Sequence, residues 1–293
     1  MAGSSAESLV RGAIETHVHS APDIVPRRIN DFDLAAHAKE AGMRAVVLKS
    51  HHTQTADRAQ LVRHVVSGID VFGGIALNYP AGGLNYQAVE MALGFGAKVV
   101  WMPTYTAANH VAHMAKGPGH EALTALGSSP DAGIRAVLDD GSLAPALEAI
   151  LKLIAERGAT LATGHLSWQE SRVLVPAAKR LGVERILITH PELDLVDMPL
   201  EVQKELAGLG GVYFERCFII TTMGDSAQRL IEGIRAVGPE TTVMATDFGQ
   251  LKNPTPVEGM RQYVQAMLDG GLTPDEIQLM LHHNPALALG LET

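Results

Sequence analysis

The sequence predicts an α/β fold, a single (β/α)8 TIM-like barrel over residues 1–293 with a long excursion after strand four. Three observations predict it. Short apolar runs alternate eight times with amphipathic stretches along the 293 residues. Hydrophobic residues make up 46%, enough for one large core, and only 4% of residues are aromatic. No shift of composition marks a second domain, and the 29 Gly and 15 Pro punctuate the chain without forming a low-complexity tract.

The elements follow in order. Strand one is Ala13 to Val18, then a helix runs from Phe32 to Ala41 and ends at Gly42. Strand two is Arg44 to Leu48, followed by Lys49-Ser50-His51-His52 and a helix from Thr55 to Val66. Strand three, Asp70 to Leu77, runs into the loop Asn78-Tyr79-Pro80-Ala81-Gly82-Gly83, and a helix covers Tyr86 to Phe95. Strand four is Ala97 to Met102. The excursion from Pro103 to about Ser142 is Gly-, Pro- and His-rich, with a small hairpin expected around Asp139-Asp140-Gly141. Helix Pro145 to Arg157, strand five Ala159 to Thr163 and helix Trp168 to Leu181, irregular at Pro176, come next. Strand six, Arg185 to Thr189, is followed by helix Pro199 to Leu209. Strand seven runs from Gly211 to Glu215 and towards Ile219, then helix Ser226 to Val237. Strand eight is Thr241 to Thr246, before helix Val257 to Asp269. Thr273-Pro274-Asp275-Glu276 is a capping-box start for a last helix that should stop near His283, before Asn284-Pro285.

Charge and composition exclude several function classes. A net charge of −9 and no dense Lys/Arg run argue against nucleic acid as a partner. Cys217 is the sole cysteine, so neither an intrachain disulfide nor a thiolate zinc cluster can form. Met1 to Ser8 lacks the pattern of a secretory signal, and no run of about 18 apolar residues suggests a membrane span. A soluble, cytoplasmic protein acting on a small molecule, away from membranes, is the expectation; a homo-oligomer is compatible with it.

Thirteen histidines are many for this length, and they fall at strand ends. His17 and His19 stand two positions apart at the end of strand one, so their side chains point off the same face. Two imidazoles held side by side suit a metal that prefers nitrogen ligands. Lys49 and His51 follow strand two, His165 strand five, His190 strand six and Asp247 strand eight. In a barrel these ends meet at one mouth, where the chemistry sits.

This arrangement resembles the amidohydrolase superfamily from Glu15-Thr16-His17-Val18-His19 to the terminal Asn284-Pro285-Ala286, in a branch marked here by Leu48-Lys49-Ser50-His51 after strand two. The superfamily places His-x-His on strand one, His on strands five and six, and Asp on strand eight. The resemblance implies hydrolysis at a carbon or phosphorus centre by metal-activated water. It implies that His17, His19 and Asp247 hold one divalent metal, with His165 and His190 holding a second or orienting substrate. Zinc is the first choice, with Mn, Fe or Ni also suited.

One departure stands out. Strand four closes on Val99-Val100-Trp101-Met102 without the bridging lysine or glutamate of binuclear members. Lys49 could supply that bridge if carboxylated, or bind a substrate carboxylate as an ammonium. The stretch Val46 to Thr53 also resembles the second motif of the polymerase-and-histidinol-phosphatase phosphoesterases, in which His51 would be a ligand; that family's barrel has seven strands. In the amidohydrolase reading His51 meets substrate.

The leading expectation is a metal-dependent hydrolase of an amide, imide or lactone. Asp247 would take the proton from water and pass it to the leaving group. The alternatives are a metal-dependent decarboxylase of the same superfamily, a phosphoesterase, or a non-enzymatic metal-binding barrel. Other residues receive structural readings. His110 and His113 could be lid residues or ligands of a labile second ion, but solvated loop residues are the expectation; His37, His64 and His120 are expected to be solvated. Asn78, Gly82 and Gly83 either present backbone donors or form an ordinary turn. Glu215 reads as a salt-bridged strand end beside Arg216. His282 and His283 suit a helix C-terminus. Cys217 reads as a small buried apolar residue.

Overall fold

The computed structural model describes residues 5–115 and 133–292. Eight parallel barrel strands appear in the expected order. They are β1 (Ile14–His19), β2 (Ala45–Lys49), β3 in two pieces (Asp70–Phe72 and Gly74–Ala76), β4 (Val99–Trp101), β5 (Thr160–Ala162), β6 (Arg185–Thr189), β7 (Val212–Cys217) and β8 (Thr242–Ala245). Neighbouring strands pair in parallel from β1 to the first piece of β3, and from its second piece to β8. β3 breaks at Gly73 because the Thr55 backbone presses on it; a Cβ there would lie 2.4 Å from the Thr55 carbonyl. Thr55 bridges the break, its hydroxyl accepting from Gly74 N at 2.9 Å and donating to Leu48 O at 2.7 Å.

β8 closes the barrel on β1. Asp247 N donates to His17 O at 2.9 Å and His19 N to Phe248 O at 2.8 Å. The register of β1 shifts between Glu15 and Val18. At this irregularity the Glu15 carboxylate serves in place of a backbone carbonyl, accepting from His17 N and Thr246 N, each at 3.1 Å.

The lumen is packed. Ile14, Ala45, Val47, Val99, Trp101, Leu187 and Val243 form one buried cluster, closed below by Ala286, Ala288 and Leu289. Two larger clusters fill the space between barrel and helices on opposite sides. With the lumen filled, the open end is the carboxyl end of the strands.

Several sequence expectations are corrected. The last helix does not stop at His283: Pro274–Gln278 passes through a π turn, Leu279–His283, into Asn284–Ala288. Pro285 falls in the first turn after the π turn, where a missing N–H costs little. Asn284 Nδ2 ties this segment to Thr242 O and Pro239 O, and Thr160 donates to Ala288 O. Strand seven does not reach Ile219; it gives way to a 3-10 turn, Phe218–Thr222. Pro176 sits inside an unbroken helix, Trp168–Arg180. The excursion is not all loop, since Ala108–Met114 is helical. Its hairpin turn is present, with Val137 bridged to Leu143. His120 and the middle of the excursion lie outside the described residues. Among the described residues, no helix is long and apolar enough to cross a membrane.

Candidate metal centre

The mouth is built from strand ends. His17 and His19 close β1, and Asp247 follows β8 in the left-handed region (φ 55°). His190 follows β6 with φ 32°. Non-glycine residues held there are strained and recur at functional sites. Two glycines give the others room. A Cβ on Gly249 would lie 2.0 Å from His19 O, and one on Gly164 would lie 2.4 Å from Met102 O.

His17, His19 and Asp247 converge, each offering a donor atom within 4.8 Å of the other two. His17 Nε2 is 3.2 Å and His19 Nε2 3.1 Å from the same oxygen, Asp247 Oδ1. Burial would raise the Asp247 pKa, but His17 and His19 hold it well below the usual carboxylate range.

Behind His17 stands Glu215. Its Oε2 lies 2.9 Å from His17 Nδ1 and its Oε1 accepts the Thr16 hydroxyl at 2.7 Å. His17 Nδ1 therefore donates to Glu215, which leaves Nε2 as the nitrogen aimed at Asp247. Nε2 and a carboxylate oxygen 3.2 Å apart are held together by a shared proton or by a cation beside them. Lys49 supplies one from the chain, its Nζ 2.8 Å from His17 Nε2. Burial pushes the Lys49 ammonium pKa down, with Asp247 and Glu215 opposing. Burial opposes a charge on His17, but Asp247 and Glu215 together raise its pKa, whereas burial keeps His19 neutral. A divalent ion fits this donor set by taking the place of the His17 proton: an anionic oxygen, two imidazoles, and an orienting carboxylate behind one of them. The other convergent set, His17, Glu215 and Cys217, is spent on hydrogen bonds, and burial pushes the Cys217 thiol pKa up.

The opposite side of the mouth is less tied. His190 is fully buried and, among the described residues, neither of its ring nitrogens has a partner; nor has His19 Nδ1. Burial lowers the pKa of His19 to about 3 and of His190 to about 3. The His190 ring stands 6.1 Å from His17 and 5.0 Å from His165. His51 stacks on His19 at 4.6 Å and on Tyr105 at 3.8 Å.

A cavity of about 440 Å³ opens above these residues. His19, His51, His165 and Asp247 line its floor, Val25, Leu193, Leu195 and Ile219 its apolar walls, and Lys252 belongs to its lining as well.

The structure thus brings His17, His19, Asp247 and Lys49 into contact, with His51, His165 and His190 around them. It corrects two sequence readings. His110 is buried, not solvated, with Nδ1 2.8 Å from His165 Nδ1; the helix Ala108–Met114 turns it inward. His113 stays 40% exposed, 3.5 Å from Asp194. Glu215 is a buried strand end that pairs with His17 and not with its neighbour; Arg216 points away and pairs with Glu192. Tyr105 is absent from the sequence reading altogether. Asn78 acts through its side chain, described below.

Comparison with known proteins adds the following. The model of a family of unknown function (DUF6282) matches residues 12–215. No curated protein matches the chain. Solved structures of similar fold include an amidohydrolase from Pseudomonas aeruginosa, with TM-score 0.67, 13% identity and 98% of both chains covered. Another is an amidohydrolase from Burkholderia multivorans with bound zinc, with TM-score 0.59, 12% identity, and 96% of this chain and 99% of that one covered. A third is 2,6-dihydroxybenzoate decarboxylase from Rhizobium, with TM-score 0.53, 11% identity, and 96% and 99% covered.

Proposed function

The chain belongs to the DUF6282 family, and we propose that it is a metal-dependent hydrolase that cleaves an amide, imide or lactone bond in a small molecule. The observation that carries this is the approach of His17 Nε2 to within 3.2 Å of Asp247 Oδ1, with Glu215 orienting the ring through Nδ1 at 2.9 Å. In this reading His17, His19 and Asp247 hold one divalent ion, zinc being first choice. His165 and His190 serve a second ion or the substrate. The zinc bound to the Burkholderia neighbour supports the choice of metal.

A divalent ion held there would supply an activated water and polarisation of the scissile carbonyl at neutral pH. The chain's residues do the rest. Asp247, kept ionised by His17 and His19, accepts the water proton and returns it to the leaving group. Glu215 fixes the His17 ring, and the apolar walls exclude bulk water. Lys49, with a lowered pKa, is an amine able to add carbon dioxide as a carbamate with loss of a proton. That would give the site its missing anion.

Metal-dependent decarboxylation is a second reading. The flat wall of His51 and Tyr105 suits a planar ring, and the Rhizobium neighbour is a decarboxylase. The first test is elemental analysis of protein purified without chelator, beside a His17→Ala/His19→Ala double variant and Asp247→Asn. Retained metal that the double variant loses is the expected result. No metal after reconstitution with zinc and manganese sinks both readings. Once a substrate is found, carbon dioxide released without water uptake selects the lyase.

A further inference from the structure

The hydrogens around His51 can be counted. Asn78 Oδ1 accepts from Thr104 N at 2.8 Å, Thr106 N at 3.1 Å and the Thr106 hydroxyl at 2.9 Å. Three donors on one oxygen fix the amide, so Nδ2 is the donating end. It donates to His51 O at 2.8 Å and to Thr104 Oγ1 at 2.6 Å. Thr104 is fully buried, and among the described residues its own hydroxyl proton has one acceptor in reach, His51 Nδ1 at 2.8 Å. That hydrogen bond needs a lone pair on Nδ1, so the His51 proton is on Nε2. The opposite assignment would bury the Thr104 proton without an acceptor.

The ring is also held in place. Stacked between His19 and Tyr105, with interplanar angles of 24° and 16°, it lines the cavity, and among the described residues its ring hydrogen bond is made by Nδ1 and not by Nε2.

We propose that His51 is a catalytic residue whose Nε2–H donates to the substrate oxygen that becomes negative beside the His17–His19–Asp247 centre, with Asn78 and Thr104 as positioning residues. The proposal rests on the metal-dependent reading of the site. A donor set before substrate arrives costs no reorganisation during reaction. It also removes His51 Nε2 from the set of metal ligands, since a ligand must offer a lone pair there.

The test is long-range proton–nitrogen NMR on the zinc-loaded full chain labelled with [15N]histidine. The His51 signals are those missing in His51→Gln. A pyridine-type Nδ1 and a pyrrole-type Nε2 are expected. Thr104→Val should release the tautomer, and Thr104→Ser should keep it. Acetohydroxamate serves as the oxyanion probe. It should move the His51 Nε2 proton downfield, and His51→Ala should bind it roughly ten- to a hundredfold more weakly at unchanged zinc content. A protonated Nδ1 in the wild-type spectrum overturns the proposal, as does undiminished probe affinity in His51→Ala. The tautomer can be read in metal-free protein as well. Failure to bind zinc would therefore count against the hydrolase reading, and a wrong tautomer against this one.

Discussion

The two sides of the barrel mouth are built differently. On the side of β1, β7 and β8, side chains are braced: Thr16 and His17 on Glu215, His17 and His19 on Asp247. On the side of β5 and β6, among the described residues, His190 is buried with two idle nitrogens, and the ring nitrogens of His165 meet only His110. A braced cluster keeps its geometry without a ligand. Idle imidazoles in a dry site have been desolvated without compensation, which is tolerable where something else completes them. In the metal-dependent reading proposed above, the first side would seat the tighter ion, and the second would serve substrate or a weaker ion.

The largest expected effect comes from breaking each side in turn. His17→Ala/His19→Ala should lose all retained metal, whereas His190→Ala should keep the tight ion and lose activity. Elemental analysis after equilibrium dialysis checks this; a metal-free His190→Ala protein would break the contrast. A smaller effect is expected from the brace. Glu215→Gln keeps the shape but removes the charge behind His17, and should weaken metal affinity roughly 10- to 100-fold. Competition with a chromogenic chelator measures it, and an unchanged affinity would show that the brace is only packing.

The smallest effect lies far from the mouth and serves as the control. Thr273 and Glu276 cap the helix Pro274–Gln278 reciprocally. Thr273→Ala should cost about 1 kcal/mol of stability and leave metal affinity alone. The backbone hydrogen bond from Thr273 lowers the Glu276 pKa below its ordinary 4.5. Its stabilisation is thus complete above the unfolded value and fades as pH falls through the folded one. Thermal melts of wild type and of Glu276→Ala, which lacks the carboxylate that accepts this backbone hydrogen bond, should converge in acid. A gap in melting temperature that stays constant at low pH would refute this assignment.

What was legible in the sequence was local. Strand periodicity and loop composition are short-range signals, so His17, His19, His165, His190 and Asp247 could be put at strand ends from their neighbours alone. Glu215 could not be read this way, because its role depends on facing Thr16 and His17 from across the barrel, 199 and 198 residues away. His110 was hidden because a seven-residue helix inside a Gly- and Pro-rich excursion carries too little periodicity to stand out. Pro285 looked like a stop because its effect was judged without the barrel floor that the following helix seals. The His51 tautomer depends on Asn78 and Thr104, which arrive from the ends of two other strands.

The position of Trp101 has an optical consequence. Its indole is fully buried, 6.3 Å from the His17 ring and 5.4 Å beneath the Lys49 ammonium. The other tryptophan, Trp168, begins an outer helix. Emission from Trp101 should therefore respond to any change of charge at His17, and a paramagnetic ion such as Ni or Mn should quench it while Trp168 continues to emit. The protein carries its own gauge of how full its mouth is.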